Sequence, residues 1–443
     1  MIDVVALSSS LIGGDMPFLK NYISKNYLAM IAPMLPAVTT AVQSTYLTGK
    51  WPAEHGIVGN GWYDREDCEI KFWKQSNKLV LAEKIWEKAK KQDASFTCSQ
   101  MFWWYNMYSS ADYSATPRPQ YLADGRKLPD CYSTPPELRD ELQNKLGQFP
   151  LFKFWGPGAG IKSTRWIADA AMITDDRYDP TLTLIYLPHL DYCLQKFGPD
   201  ISKIKNELHN IDKVIEDLVT FYEKINAKII ILSEYGIAPV SKPIHLNRIL
   251  REHDLLQLRI ERGLELLDPG ASKAFAVADH QLAHVYVNDV SVTRQVRSLL
   301  EKVPGIELIL DKAAQAKYHI DHTRSGDFVL MSDSKSWFTY YFWMDDAKAP
   351  DYARSVDIHK KPGYDPVEMF MASKLRAGYK LLRKKSGLRY VMDVIPLDAT
   401  LIKGSHGRVN VSPEFYPLII SSEKLQKTDI KAVDVFDIIY SHL

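Results

Sequence analysis

The stretch PAVTTAVQSTYLTGKWPAEHGIVGN, residues 36–60, is the most informative segment of this sequence. Pro36 precedes Thr39, and the nine residues after Thr39 contain neither Gly nor Pro. This pattern predicts a loop that enters a helix, with Thr39 near the helix cap. Free backbone N–H groups and the helix dipole favour an anion at such a place. The alternative interpretation is that Thr39 only caps the helix.

The wider pattern of the stretch resembles the nucleotide pyrophosphatase/phosphodiesterase branch of the alkaline phosphatase superfamily. The residues that carry the resemblance are Thr39, Thr48-Gly49, Pro52, His55-Gly56-Ile57 and Asn60. The resemblance implies that Thr39 is a nucleophile and that Asn60 holds a phosphate oxygen. It also implies an alkaline-phosphatase-like three-layer α/β sandwich, with a central, mostly parallel sheet and an inserted α/β cap.

The same resemblance implies metal ligands at later strand ends, because a threonine hydroxyl needs activation at neutral pH. Where the family has an early aspartate, this chain has the serines of residues 8–10. Asp191 matches the next family position, but Gln195 stands where a histidine is expected. Residues 233–236, Ser-Glu-Tyr-Gly, replace Ser-Asp-His-Gly, whereas residues 404–407, Gly-Ser-His-Gly, match.

The candidate metal ligands are therefore Asp191, Glu234 and His406, with His189 as a substitute imidazole. The alternative for His189 is a hydrogen-bonded loop histidine. One carboxylate and two imidazoles of the family set are missing, so two close dications would repel each other with little compensation. We expect one divalent ion, zinc, rather than two, and a site without metal is the remaining alternative.

An aromatic run, residues 102–108, adds candidates for substrate binding. Trp104 and Tyr105 are the rings that we expect to contact a nucleobase beside a phosphate site. The alternative is that the run packs in the core. Asp279-His280 also carries ligand types, but its position in the expected cap argues against a metal role.

Hydrophobic periodicity supports an α/β fold independently of the motifs. Residues 181–187 and 228–232 are continuous apolar runs typical of buried strands, and residues 204–225 have helical apolar spacing. Residues 283–310 indicate a compact β-α-β unit. We predict a core formed by residues 1–241 and 396–443, interrupted by a cap over residues 242–395.

Composition narrows the possible partners. The chain has 443 residues, 55 Lys+Arg, 54 Asp+Glu and a net charge of +1. A near-zero charge argues against a nucleic-acid polymer or a membrane as partner, and residues 380–385 are interpreted as a solvated basic helix face. Four scattered cysteines and no apparent signal peptide or transmembrane run favour a soluble cytoplasmic protein.

These observations lead to one functional hypothesis with alternatives. We expect a metal-dependent hydrolase that cleaves a small phosphodiester or nucleotide pyrophosphate through a threonine nucleophile. One alternative is a pseudoenzyme that binds a phosphorylated or nucleotide-like ligand without cleaving it. The other is a hydrolase of a different phosphoryl or phosphonate substrate.

Overall fold

A computed structural model describes residues 1–443 and has a nine-stranded mixed sheet at its centre. The strands of the chain are β1 Ile2–Val4, β2 Tyr27–Ala32, β3 Gly61–Asp64, β4 Glu69–Phe72, β5 Cys98–Met101, β6 Tyr113–Pro117, β7 Gln120–Tyr121, β8 Lys127–Leu128, β9 Cys131–Thr134, β10 Leu182–Leu187, β11 Ile230–Leu232, β12 Ala238–Pro239, β13 Lys242–Ile244, β14 Gln257–Glu261, β15 Leu264–Asp268, β16 Ala274–Asp279, β17 Leu282–Val287, β18 Ile306–Leu310, β19 Phe328–Ser332, β20 Ser336–Phe338, β21 Gly404–Ser405, β22 Leu418–Ser421 and β23 Ile430–Lys431. The helices are α1 Pro17–Ile23, α2 Thr39–Thr48, α3 Pro52–His55, α4 Ile85–Gln92, α5 Pro136–Leu146, α6 Leu151–Phe154, α7 Ile161–Tyr178, α8 His189–Phe197, α9 Ile201–Lys224, α10 Leu246–Glu252, α11 Thr293–Leu300, α12 Lys312–Gln315, α13 Lys374–Lys385 and α14 Asp434–Tyr440.

The central sheet has the strand order β23-β2-β22-β11-β1-β10-β5-β6-β9. Its middle is parallel, since β1 pairs in parallel with β10 and β11, and β5 continues in parallel from β10. The strands β22 and β9 are antiparallel to their neighbours. Every residue of β10, β11 and β22 is buried, so both faces of the sheet are covered. The predicted α/β class with a mostly parallel sheet is confirmed.

The predicted central elements lie where periodicity placed them. Residues 181–187 form β10, residues 228–232 include β11, and α9 spans the stretch with helical apolar spacing. Thr39 begins the helix after β2, Asp191 lies in the helix that follows β10, and Glu234 comes two residues after β11. These three connections meet at one edge of the sheet, which is where α/β folds place reactive groups.

A second sheet, in the order β16-β17-β19-β18, has its own hydrophobic core. Strands β17 and β18 are both antiparallel to β19, which lies between them, so the predicted β-α-β unit is split by a third strand. Most of this core comes from residues 240–402, but Tyr63 and Phe72 of the β3–β4 hairpin also belong to it. The cap boundaries at residues 242 and 395 remain predictions.

Candidate functional site

Thr39 occupies the first position of α2, as the sequence predicts. Val38 before it is extended, and the first backbone bond of the helix runs from the Val42 N–H to the Val38 carbonyl at 3.0 Å. The helix ends at Gly49, whose φ of 64° is the left-handed conformation that glycine adopts freely. The hydroxyl of Thr39 therefore lies in the first turn of a ten-residue helix, where the backbone N–H groups have no partner within the helix.

The hydroxyl of Thr39 lies 3.0 Å from Oη of Tyr235, and Tyr235 in turn donates to Oδ1 of Asp191 at 3.3 Å. A phenol has one proton. Because Tyr235 donates it to Asp191, we assign Thr39 as the donor in the first bond. The three side chains form a directed chain of hydrogen bonds that leads from the threonine to a carboxylate.

The position of Tyr235 is fixed by a close backbone approach. Gly236 follows it, and a Cβ there would lie only 2.2 Å from the carbonyl oxygen of Phe415. Ser233, two residues earlier, accepts the Leu418 N–H on its hydroxyl at 3.0 Å. The Ser-Glu-Tyr-Gly segment is thus held against the strand that follows residue 417, and the phenol is directed toward α2.

Asp191 is held from a second side by Gln195, one turn later on α8. The Gln195 amide donates to Oδ2 of Asp191 at 2.6 Å, and its carbonyl oxygen accepts from the Tyr364 hydroxyl at 3.0 Å. Burial, reinforced by the charge of Glu234, raises the pKa of Asp191 to about 7, while the hydrogen bonds from Gln195 and Tyr235 act in the opposite direction. Gln195 stands where the family resemblance implied a metal-binding histidine, and in this structure it positions Asp191 instead.

His406 is a neutral imidazole beside this chain. Its Nδ1 lies 2.7 Å from the Ala37 carbonyl, which can only accept, so we assign the proton to Nδ1. Its Nε2 has no hydrogen-bond partner and lies 3.8 Å from Oδ1 of Asp191. The ring stacks on Tyr235 with centroids 3.6 Å apart, and burial lowers the pKa of His406 to about 3.

Glu234 belongs to a pair of carboxyl groups that the sequence did not reveal. The Gln43 amide donates to Oε1 of Glu234 at 2.7 Å and to Oδ2 of Asp3 at 3.2 Å. Burial and the neighbouring carboxyl group raise the pKa of Glu234, and burial raises the pKa of Asp3 to about 7. Asp3 is a lone charged residue inside a buried strand, and that anomaly is the signal by which it could have been found.

His189 is directed away from this cluster. Its Nε2 lies 2.8 Å from Oε2 of Glu207 on α9, although it precedes Asp191 by only two residues. Residues two apart on a helix do not face each other. The structure therefore brings Asp191, Glu234 and His406 into one region and leaves His189 outside it.

Asn60 lies against the first turn of α2. Its Oδ1 accepts the Thr40 N–H at 3.2 Å, and its Nδ2 donates to Oδ1 of Asp279 at 3.0 Å. Asp279 also accepts the Asn60 N–H at 2.7 Å, and burial raises the pKa of this aspartate to about 7. The ring of the adjacent His280 lies 3.7 Å from that of His406 at a tilt of 38°, so the Asp279-His280 pair borders the site, although its place in the expected cap argued against a metal role.

A cavity of about 1410 Å³ opens from this cluster. Thr39, Asp191 and Tyr235 belong to its lining, together with several tryptophan and tyrosine rings. Trp104 is one of these rings and lies 4.8 Å from the ring of Trp73. The other predicted stacking residue, Tyr105, is 2 % exposed and packs in a separate hydrophobic cluster outside the cavity lining.

The four predicted metal ligands do not fit a divalent ion. No group of three or more His, Cys, Asp or Glu side chains is arranged to hold a metal ion. Both oxygens of Asp191 already accept protein hydrogen bonds, and one oxygen of Glu234 accepts from Gln43. The phenol of Tyr235 is an unusual zinc ligand. The hydrogen bonds around Asp191 thus replace the coordination that the family pattern implied.

Comparison with known proteins agrees with this architecture. The family model "Type I phosphodiesterase / nucleotide pyrophosphatase" matches residues 1–365. The chain belongs to this family. Its members are pyrophosphatase/phosphodiesterase-type hydrolases, and the resemblance inferred from residues 36–60 is confirmed.

Two curated relatives match part of the chain. An uncharacterised pyrophosphatase/phosphodiesterase of Schizosaccharomyces pombe is 26 % identical over 239 residues, covering 52 % of this chain and 42 % of the relative. Ectonucleotide pyrophosphatase/phosphodiesterase 2 of Saccharomyces cerevisiae is 21 % identical over 224 residues, covering 47 % and 39 %. The chain therefore matches about two fifths of the length of these relatives.

Two solved structures share the fold. An inactive variant of murine ectonucleotide pyrophosphatase/phosphodiesterase 5, in complex with AMP, superposes with a TM-score of 0.61 at 14 % identity over 100 % of this chain and 93 % of that one. Phosphonoacetate hydrolase from Sinorhizobium meliloti 1021, in complex with phosphonoformate, gives 0.61 at 14 % identity over 100 % and 94 %. At this identity the likeness establishes the fold alone.

Two further features concern the predicted location. None of the helices combines the length and apolar character that crossing a membrane requires. All four cysteines are free thiols, with Cys68 exposed and the other three buried.

Proposed function

We propose that this chain hydrolyses a small phosphodiester or nucleotide pyrophosphate, with Thr39 as the nucleophile. The observation that carries the proposal is the position of the Thr39 hydroxyl. This hydroxyl lies in the first turn of α2 and in the lining of a large cavity. It donates a hydrogen bond to Tyr235, which donates to Asp191. Nucleophile, base and orienting group are therefore linked as covalent catalysis requires.

The hydrogen bonds define a balanced first step. Oγ1 of Thr39 attacks phosphorus, an O–P bond forms, and the bond from phosphorus to the leaving oxygen breaks. The threonine proton passes to Tyr235 as the phenol proton passes to Asp191, and this proton then neutralises the departing alkoxide. Attack of water on the phosphothreonine releases the second product and restores the threonine hydroxyl.

Stabilisation of the phosphoryl oxygens is assigned to the start of α2. The helix dipole and the first-turn N–H groups, which have no partner within the helix, favour negative charge at the position of Thr39. Of these groups, the Thr40 N–H is bonded to Asn60. Asn60 uses one amide hydrogen on Asp279, which leaves its second hydrogen for a substrate oxygen. Trp104 offers its ring to the group attached to phosphorus.

The predicted zinc ion is not part of this proposal, because the donor set around Thr39 does not fit it. In the proposed reaction Asp191 accepts a proton, Glu234 is a buried carboxyl group and His406 is a neutral imidazole. His189 has no assigned role in the reaction. The predicted cytoplasmic location is kept as a proposal and is tested by cell fractionation.

A second candidate is a protein that binds a phosphorylated ligand without cleaving it. The observation that favours it is that both oxygens of Asp191 accept hydrogen bonds, one from Tyr235 and one from Gln195. These hydrogen bonds stabilise the charged carboxylate and make it a weaker base.

Turnover of an aryl phosphodiester by three proteins separates the two candidates. We expect wild-type activity, partial activity for Thr39→Ser and none for Thr39→Ala, with AMP binding retained in all three. Equal turnover by wild type and Thr39→Ala would show that Thr39 is not the nucleophile. Binding of AMP without turnover by any of the three would establish the second candidate.

A further inference from the structure

Helix α13 forms part of the cavity wall and is mostly exposed. It begins at Ser373, whose hydroxyl accepts the Arg376 N–H at 3.2 Å, and Ala377 is its only buried residue. The residues that it contributes to the cavity lining are Ala377, Leu381 and Lys384. Their spacing of four and three places them on one face of the helix.

The opposite face is apolar and exposed. Leu375 is 88 % exposed, Tyr379 55 % and Leu382 62 %, and these positions repeat the spacing of four and three. After the helix, Leu388 and Val391 are both more than half exposed and line the cavity rather than the stripe. Large apolar side chains in a contiguous exposed stripe indicate a surface that is covered in use.

Basic residues border the apolar stripe on both sides. On a helical projection Arg376, Lys380 and Arg383 lie along one edge, and Lys374 and Lys385 lie along the other. Residues 370–392 contain seven Lys and Arg and no Asp or Glu.

Few of these charges are neutralised within the protein. Asp393 pairs with Arg376 and Lys380. The other five basic residues have no carboxylate within ion-pair distance: Lys374, Arg383, Lys384, Lys385 and Arg389. The edge of the stripe therefore carries a local positive charge that the net charge of +1 conceals.

We propose that α13 docks onto an anionic phospholipid surface through its outward apolar stripe. The stripe of Leu375, Tyr379 and Leu382 inserts at the boundary between headgroups and acyl chains, and the flanking basic residues contact anionic headgroups. An exposed apolar face with Lys and Arg beside it is the pattern of helices that lie in a membrane interface. A nucleic acid would satisfy the charges but would leave the apolar stripe in water.

The geometry gives this docking a consequence for the cavity. The same helix presents its apolar stripe outward and its Ala377–Leu381–Lys384 face inward. Phe152, another exposed cavity residue, lies under the Lys384 ammonium group at 5.9 Å from its ring centroid. A lipid surface bound to α13 would therefore lie next to the mouth of the cavity. The sequence-based expectation of no membrane partner rested on the near-zero net charge, on the lack of a transmembrane run and on the interpretation of residues 380–385 as a solvated basic face.

Co-sedimentation with vesicles tests the proposal on the full-length protein. The probes are vesicles of phosphatidylcholine alone and of phosphatidylcholine mixed with phosphatidylserine. We expect wild type and Thr39→Ala to bind the mixed vesicles and not the neutral ones, because docking does not require turnover. Failure of the nucleophile proposal would thus leave this result unchanged, and failure of docking would leave turnover of a soluble diester unchanged.

Two double variants and one control test which residues are responsible. Leu375→Ser/Leu382→Ser and Lys374→Glu/Lys385→Glu should each weaken binding at least about tenfold. Val290→Ser, which alters an 83 % exposed valine elsewhere, should leave it unchanged. No wild-type binding to mixed vesicles, or equal binding by all variants, would overturn the proposal. So would a concentration-dependent dimer that Leu375→Ser/Leu382→Ser abolishes, since a second copy would then cover the stripe.

Discussion

Oη of Tyr235 lies 3.0 Å from Oγ1 of Thr39 and is bonded to Asp191 on its other side. The family pattern has a histidine at the position of Tyr235, and the phenol links the proposed nucleophile to a buried carboxyl group. This relationship places a phenol, rather than an imidazole, between the threonine and the aspartate.

Tyr235→Phe breaks the chain between Thr39 and Asp191 while keeping the ring that stacks on His406. We expect kcat for a soluble phosphodiester to fall about 10²- to 10³-fold, the size of a lost general-base contribution, with KM changed little. Tyr340→Phe is the matched control, because it removes a buried phenol hydroxyl that has no hydrogen-bond partner. Similar kcat values for the two variants would show that the Tyr235 hydroxyl takes no part in the reaction.

Chelation of metal should leave turnover in place. The oxygens of Asp191 accept hydrogen bonds from Tyr235 and Gln195, and the proposed reaction has no step at a divalent ion. We expect kcat/KM after dialysis against EDTA to equal that of the untreated enzyme, measured with the same diester. Loss of activity that zinc, manganese or magnesium restores would contradict this arrangement.

Asp279→Asn should change the pH dependence of stability. Burial raises the pKa of Asp279 from 3.8 to about 7, so the folded state holds this proton more tightly than the unfolded state. Its contribution to stability is fully present below about pH 4 and is lost as the pH rises to about 7. Relative to wild type, Asp279→Asn should therefore gain roughly 3 kcal/mol between pH 5 and pH 8.

Urea unfolding at the two pH values measures this difference. The exposed Asp321→Asn is the control, for which we expect the same difference from wild type at both pH values. A pH-independent effect of Asp279→Asn would mean that Asp279 is ionised at both pH values in the folded protein.

The size of the cavity predicts a preference for a long apolar group on phosphorus. At about 1410 Å³ it exceeds the usual range of about 300–1,000 Å³ for small-molecule sites. We expect an aryl phosphodiester with a dodecyl group to have a kcat/KM at least tenfold above that of its methyl analogue, since each buried methylene contributes about 0.8 kcal/mol. Equal values for the two esters would show that the cavity does not bind the long apolar group of the substrate.

The sequence predicted the parts of the fold that depend on local pattern. Continuous apolar runs identified β10 and β11, and the spacing of apolar residues identified α9. The motif at residues 36–60 placed Thr39 at the start of α2 because loop, cap and helix are neighbours in the chain.

Contacts between segments that are far apart in the chain could not be predicted from local sequence patterns. Asp279 meets Asn60 across 219 residues, and the bond between Thr39 and Tyr235 spans 196. The pairing of Asp3 with Gln43 depends on where a strand and a helix cross, which no local pattern encodes. His189 illustrates the same limit, because its nearest carboxylate is on α9 rather than beside Asp191.

Mass spectrometry of the protein quenched during turnover of an aryl phosphodiester tests the central claim most directly. We predict a phosphoryl adduct on Thr39 in the wild-type protein and no adduct on the same peptide of Thr39→Ala. Turnover by wild type with no adduct on Thr39, or with the adduct on another residue, would contradict the role of Thr39 as nucleophile.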